Sequence, residues 1–148
     1  MNREIKFRVW DTENQEFFYP DELRIQYNQI GWTADHYLDI DSYETKPEEY
    51  VLQQFTGLFD KNGKEIYEGD ILNWESNSMS HRLGECKRIR TVEVMWDKKS
   101  AAFVVVKKLS NNLLSPVTVW KMDANDFNGK PFIKEVIGNV FENKELLA

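Results

Sequence analysis

The sequence predicts a single, mainly β domain, a small barrel or sandwich built from many short strands. Three observations carry this. Apolar residues alternate with polar ones at period two along much of the chain, turn signals recur about every eight to twelve residues, and no apolar stripe of 3.6-residue period is long enough for a substantial helix. The chain has 148 residues, which suits one domain and lets a core form without staples.

The elements follow in order. Ile5, Phe7 and Val9 give a first strand one apolar face, with Lys6 and Arg8 on the other, and the polar run from Asp11 to Glu16 turns the chain. Phe17 to Tyr19 and Leu23 to Tyr27 read as two short strands separated by Pro20-Asp21, a pair that favours a turn because proline pre-sets φ. Val51 to Leu58 reads as a strand. Asp60-Lys61-Asn62-Gly63 then signals a hairpin with a type I′ turn, which needs positive φ at both central residues and finds it in Asn62 and Gly63, and Lys64 to Tyr67 is the return leg. Gly69-Asp70 marks a sharp bend into Ile71 to Trp74.

From Glu75 to Arg88 the apolar pattern vanishes, which predicts a long loop. Ile89 to Trp96 and Ala101 to Val106 form a hairpin around the polar tip Asp97 to Ser100. The second leg is apolar on both faces, as in a central strand or one covered by a partner. Val117 to Met122 is a further strand, Asp123 to Asn128 a turn or single helical turn, and Phe132 to Phe141 a last strand interrupted at Gly138. Asn143 to Leu147 suits one capped final turn.

Composition excludes several classes. Apolar residues make up 41% and aromatics 14%, with 7 Gly and 4 Pro, which is not the balance of a disordered or collagenous chain. The single cysteine, Cys86, allows no internal disulfide framework and no multi-cysteine metal site. A reducing cytoplasm is the expected location. The first ten residues alternate rather than form a signal h-region, and the longest apolar run, Ala101 to Val106, is far shorter than the roughly 20 residues a spanning helix takes.

Catalytic and metal chemistry find no support. Asp39-x-Asp41 starts like a calcium loop, but Glu44 stands where glycine is needed and Tyr50 where a bidentate glutamate belongs; Asp60-x-Asn62 fails in the same way at Glu65 and Ile71. His36 and His81 have no second ligand at zinc spacing. Cys86 lies among Arg82, Lys87 and Arg88, which favours thiolate, yet His81 in a loop is a poor general base. Phosphate-binding glycine loops and a nucleophile elbow are absent. The expectation is a non-enzyme with no metal and no cofactor.

Charge asymmetry is the better signal. Acids outnumber bases 25 to 19, for a net charge of -6, so the molecule as a whole does not attract nucleic acid or anionic lipid. Between Asp11 and Tyr50 there are eleven acids against two bases, a net of -9, whereas from His81 to Lys108 eight bases face three acids, a net of +5. Arg82, Lys87, Arg88, Arg90, Lys98 and Lys99 are the candidate binding surface in that stretch, with Trp74 or Trp96 as stacking partners. The plainer reading makes the lysines gatekeepers around an aggregation-prone strand. A third reading sets this stretch against the acidic half, in the same chain or in a second copy.

Four blocks stand out together: Arg3 to Asp11, Gln54 to Ile71 with its Asp-Lys-Asn-Gly turn, Val92 to Trp96 followed by Ala102-Phe103, and Glu135 to Asn143 with Ile137-Gly138-Asn139-Val140-Phe141. This pattern resembles the YopX family of phage and prophage proteins. Glu75 to Arg88 and the acidic Asp11 to Tyr50 stretch depart from the blocks. The resemblance implies a mainly β protein with an SH3-type barrel over about 66–148, including the C-terminal turn, and an N-terminal β segment, 1–65, packed on it as part of one domain. Asn62, Gly63, Gly69 and Gly138 are its structural turn positions. The expected role is that of a phage or prophage accessory protein in the host cytoplasm, acting by binding another protein or itself; the alternative is a nucleic-acid-binding regulator using residues 81–108.

Overall fold

In a computed structural model, residues 4–19, 22–26, 29–33, 50–80, 84–107, 118–122 and 129–147 are described. Among them the chain forms eleven antiparallel strands and one short 3-10 turn, so the mainly β expectation holds. There are two compact units, Met1–Phe55 and Thr56–Ala148. Pro20-Asp21, most of the acidic stretch, Arg82 and Asp123 to Asn128 lie outside the described residues.

In the first unit, β1 (Phe7–Asp11) sits between β2 (Glu16–Phe18) and the first half of β5 (Tyr50–Phe59). Trp10 lies opposite Phe17, and Val9 opposite both Phe18 and Leu52. β3 (Glu22–Gln26) and β4 (Gln29–Thr33) pair as a separate hairpin. The face expected to be polar is only partly solvated: Lys6 keeps 40% of its side chain exposed, but Arg8 does not. Arg8 is buried: its Nε donates to Gln53 Oε1 at 2.8 Å and its guanidinium lies 4.4 Å from the centre of the Phe17 ring. An inner strand has neighbours on both sides, and here the cation is stabilised by a carbonyl acceptor and an aromatic face in place of water. Ile5, expected on the apolar face, is exposed instead.

Asp11 ends β1 by folding the chain onto its own carboxylate. Oδ1 accepts the amides of Glu13 and Asn14 at 2.9 Å, and Oδ2 accepts Asn14 Nδ2 at 2.9 Å. Burial raises the Asp11 pKa, but these donors outweigh it and hold the group below its ordinary value.

The second unit holds β6 (Glu65–Tyr67), β7 (Asp70–Ser80), β8 (Gly84–Asp97), β9 (Ala102–Lys107), β10 (Thr118–Lys121) and β11 (Ile133–Asn139), with a sheet order of β10-β9-β8-β7-β11. One face of this sheet carries the core: Leu72 and Trp74 from β7, Val92 and Val94 from β8, Phe103 and Val105 from β9, joined by Ile66 and Met122. β9 is buried on both faces, as its sequence predicts for an interior strand. Ala101 belongs to the turn before it, with φ of 48°, so β9 starts one residue later than expected.

Two expectations are corrected. The stretch from Glu75 to Arg88 is not a loop: β7 runs to Ser80, β8 starts at Gly84, and the ladder continues from Ser76 opposite Arg88 to Ser80 opposite Gly84. The apolar pattern disappears there although the backbone pairing continues, so the chain has not left the sheet. The turn at 60–63 is not type I′. Gly63 has φ of 81° but Asn62 does not have positive φ, and the bonds Gly63 N–H to Asp60 O (3.0 Å) and Asp60 N–H to Lys64 O (2.8 Å) close a type I turn followed by a left-handed glycine.

Candidate binding surfaces

The turn residues converge on β11. Asp60 accepts the amides of Asn62 (2.7 Å) and Lys64 (2.9 Å) on Oδ1 and that of Val136 (3.1 Å) on Oδ2, while Lys61 N–H donates to Lys134 O at 2.8 Å. Lys61 Nζ also reaches Glu135 at 3.0 Å, and this bond is the main cause that lowers the Glu135 pKa. Burial pushes the Asp60 carboxyl up, yet the Lys64, Val136 and Asn62 amides hold it below its ordinary value. The β5–β6 turn therefore occupies backbone groups along the outer edge of β11, groups that would otherwise be open to another strand.

A second knot lies one turn further on. Gly69, at φ of 78°, donates its N–H to Val94 O and accepts Val140 N–H, both at 2.9 Å. Buried Asp70 accepts the Tyr67 amide at 2.8 Å and Asn139 Nδ2 at 3.3 Å. β11 breaks register between Val136 and Gly138, and a Cβ on Gly138 would stand 2.6 Å from Asn143 Oδ1. Asn143 therefore reaches back to Gly138 and the Asn139 amide (3.4 Å) rather than forward as a cap; the final turn, Lys144–Leu147, is closed by Leu146 N–H on Asn143 O at 3.0 Å. Asn62, Gly63, Gly69 and Gly138 thus all sit at bends or breaks, and Asp60, Lys61, Gly69 and Asp70 tie three of the sequence blocks together.

The basic residues are spread along β8. Lys87 and Arg88 are exposed on opposite faces of the strand, and Lys87 pairs with Glu75 at 2.7 Å. Arg90, opposite Trp74, donates to Ser76 Oγ at 3.1 Å. Lys98 and Lys99 are exposed in the β8–β9 turn, where the Ser100 hydroxyl and the Lys99 amide lower the Asp97 pKa. At about 3.3 Å per residue, Arg88 and Asp97, where β8 ends just before Lys98, are about 30 Å apart along the strand. Two separate basic sites result, one at each end of β8.

The aromatic partners divide likewise. Trp74 is fully buried, stacked on Phe132 (centroids 4.8 Å) with Lys134 Nζ 5.2 Å above it, so no base can stack on it. Trp96 is 40% exposed, packed edge-on against Phe103, and precedes Lys98 and Lys99 by two and three positions.

One surface was not foreseen. On the sheet face opposite the core, Ile133 lies opposite Glu75 and Glu75 opposite Ile89, a row across β11, β7 and β8. Ile89 is 63% and Ile133 46% exposed, flanking the Glu75–Lys87 pair. The phase set by Trp74 and Val92 would have marked both isoleucines as off-core, but that inference needs Glu75 to be placed in a strand.

The sequence matches the family described as YopX protein over residues 6–148. The chain belongs to the YopX family. A crystal structure of protein EF1440 from Enterococcus faecalis is similar to this YopX-family chain at 24% sequence identity with a TM-score of 0.56, covering 99% of this chain and 100% of that one. At that identity the likeness speaks for the fold alone. No curated protein matches. Among the described residues, no cluster of three or more His, Cys, Asp or Glu could hold a metal, and no helix is long and apolar enough to cross a membrane.

Proposed function

We propose that this YopX-family protein is a phage or prophage accessory protein of the host cytoplasm that works by binding another protein or a second copy of itself, without catalysis. The observation that carries the reading is the Ile133–Glu75–Ile89 row, where two large aliphatic side chains stand in solvent beside a Lys87–Glu75 ion pair. Apolar side chains around a charge pair suit the centre of a contact surface, because a partner gains by covering the isoleucines and fixes its register on the charges. The phage setting and the SH3-type description rest on the family resemblance.

Self-association is the part tested directly. Light scattering coupled to size-exclusion chromatography is expected to give a mass above 17.6 kDa at micromolar concentration, returning to that value in Ile89→Asp or Ile133→Asp. A mass of 17.6 kDa for the unaltered chain throughout the range rules out the homo-oligomer and leaves a different protein as partner.

Nucleic-acid contact is the second reading. It is favoured by the exposure of Lys87, Arg88, Lys98 and Lys99 on one strand and its turn, and among the described residues Arg88 and Lys98 have no ion-pair partner.

A further inference from the structure

The turn between β5 and β6 contains a pair of residues that can react with each other. In Asn62-Gly63 the glycine amide nitrogen can attack the asparagine side-chain Cγ and close a five-membered imide ring. Nothing on residue 63 hinders the approach: glycine has no Cβ, and the place where one would stand has no atom within 4 Å. Both residues are exposed, so water and solvent bases reach them. The chain has a second such pair, Asn128-Gly129, whose asparagine lies outside the described residues.

Asp60 opposes this reaction in three ways. Its carbonyl oxygen accepts Gly63 N–H at 3.0 Å, and that proton must leave before the nitrogen can attack. Its carboxylate accepts a hydrogen bond from the Asn62 side chain, which ties up the group that would be attacked, and a second from the Asn62 backbone amide at 2.7 Å. The negative charge of that carboxylate also disfavours the amide anion on which the attack depends.

We propose that Asn62 is a self-modification site, held closed in the folded chain by Asp60 and opened when the turn releases. In the open turn, solvent base takes the Gly63 amide proton, the nitrogen bonds to Asn62 Cγ, and the Cγ–Nδ2 bond breaks with loss of ammonia. Water then opens the imide: cleavage at Cγ leaves aspartate, and cleavage at the Asn62 carbonyl carbon leaves isoaspartate, whose backbone runs through the side-chain methylene. Either product puts a second carboxylate beside Asp60, where a donor amide stood. Like charges there weaken the grip of Asp60 on the Lys64 and Val136 amides, and hence that of the turn on β11. A chain that opens at this turn thus acquires a covalent change that it does not reverse.

The test incubates the full chain in mildly alkaline buffer and follows the fragment that carries Asn62 by mass spectrometry, separately from the one that carries Asn128. Conversion at Asn62 is expected to be at least about 30-fold slower in the folded chain than in guanidinium chloride. Asp60→Ala should speed it about tenfold and Asp60→Asn, which keeps one acceptor oxygen, about threefold. Val105→Ala lowers stability from the buried core of β9 without touching the turn, and its rate should stay within about twofold of the natural chain. Asn62→Asp, which installs the charge of the product, should lower the melting temperature by about 2–4 °C. Circular dichroism shows which variants are folded during incubation; if Asp60→Ala is not, Asp60→Asn decides by the same criteria. Equal rates in the folded and denatured chain overturn the closed site. An unchanged rate in the Asp60 variants, or an equal acceleration in Val105→Ala, overturns Asp60 as the group that closes it. An unchanged melting temperature in Asn62→Asp overturns the loosening of β11.

Discussion

Removing the Asp60 carboxylate should loosen β11 from the β5–β6 turn. The side chain is buried and accepts three backbone amides, two within its own turn and one, Val136, at a sequence distance of 76 residues. Hydrogen bonds to a charged group contribute about 1.5–3 kcal/mol each, but Asn62 and Lys64 are exposed and water can replace the acceptor there. We therefore expect Asp60→Ala to cost about 2–4 kcal/mol in total and Asp60→Asn, which keeps one acceptor oxygen, about half as much. For a chain of this length that is about 6–12 °C in melting temperature for the alanine variant. The pH dependence provides a second readout. Because the folded pKa lies below the unfolded value, the carboxylate stabilises the fold above that unfolded value, near pH 4, and the contribution is lost as pH falls through the folded pKa. The gap in melting temperature between the natural chain and Asp60→Asn should thus be widest near neutrality and narrow below about pH 4. Thermal unfolding followed by circular dichroism measures both. A loss of less than about 0.5 kcal/mol for Asp60→Ala, or a gap that does not change with pH, would refute the reasoning.

Three further outcomes are expected. Gly138→Ala should cost about 1–3 kcal/mol by driving a Cβ into the Asn143 side chain, and in an Asn143→Gly background that cost should at least halve, as a double-mutant cycle in urea would show. Gly63→Ala meets open space, so only its left-handed backbone resists the change; about 1–2 kcal/mol is expected, with Gly63→Asn closer to neutral. EDTA should leave the melting temperature unchanged, whereas a fall of several degrees reversed by one divalent ion would point to a metal site.

The parts of the fold that were legible in the sequence are those where side chains must obey the backbone. Gly63 and Gly138 could be placed at a turn and a break because a Cβ at either is strained or has no room, and the double-faced apolar run of β9 could be placed inside a sheet because nothing else buries both faces. Arg8 misled because alternation assumes one solvated face, and Phe17 together with Gln53 makes the buried position tolerable for a guanidinium. The turn at Asp60 misled because Asn-Gly permits a type I′ turn, whereas the carboxylate draws in the Asn62 and Lys64 amides and selects another closure. The pairing of 76–80 with 84–88 was invisible for a different reason: its hydrogen bonds run between backbones, and serine, asparagine and lysine carry no periodic mark of that pairing. Without Glu75 placed in a strand, Ile89 and Ile133 could not be recognised as neighbours across it.

The long reach of the two aspartate knots has a kinetic side. Asp60 waits for Val136 and Asp70 for Asn139, pairs separated by 76 and 69 residues. Such contacts close large loops before they return any stabilisation, so folding of the second unit should be slow for its size. During synthesis the β5–β6 turn and the start of β7 emerge well before β11, and until then Asp60 and Asp70 lack those two donors. A nascent chain released before Ile133 should populate a collapsed, protease-sensitive state, with protection of the Ile71 and Leu72 amides appearing only once residues 133–143 have been made.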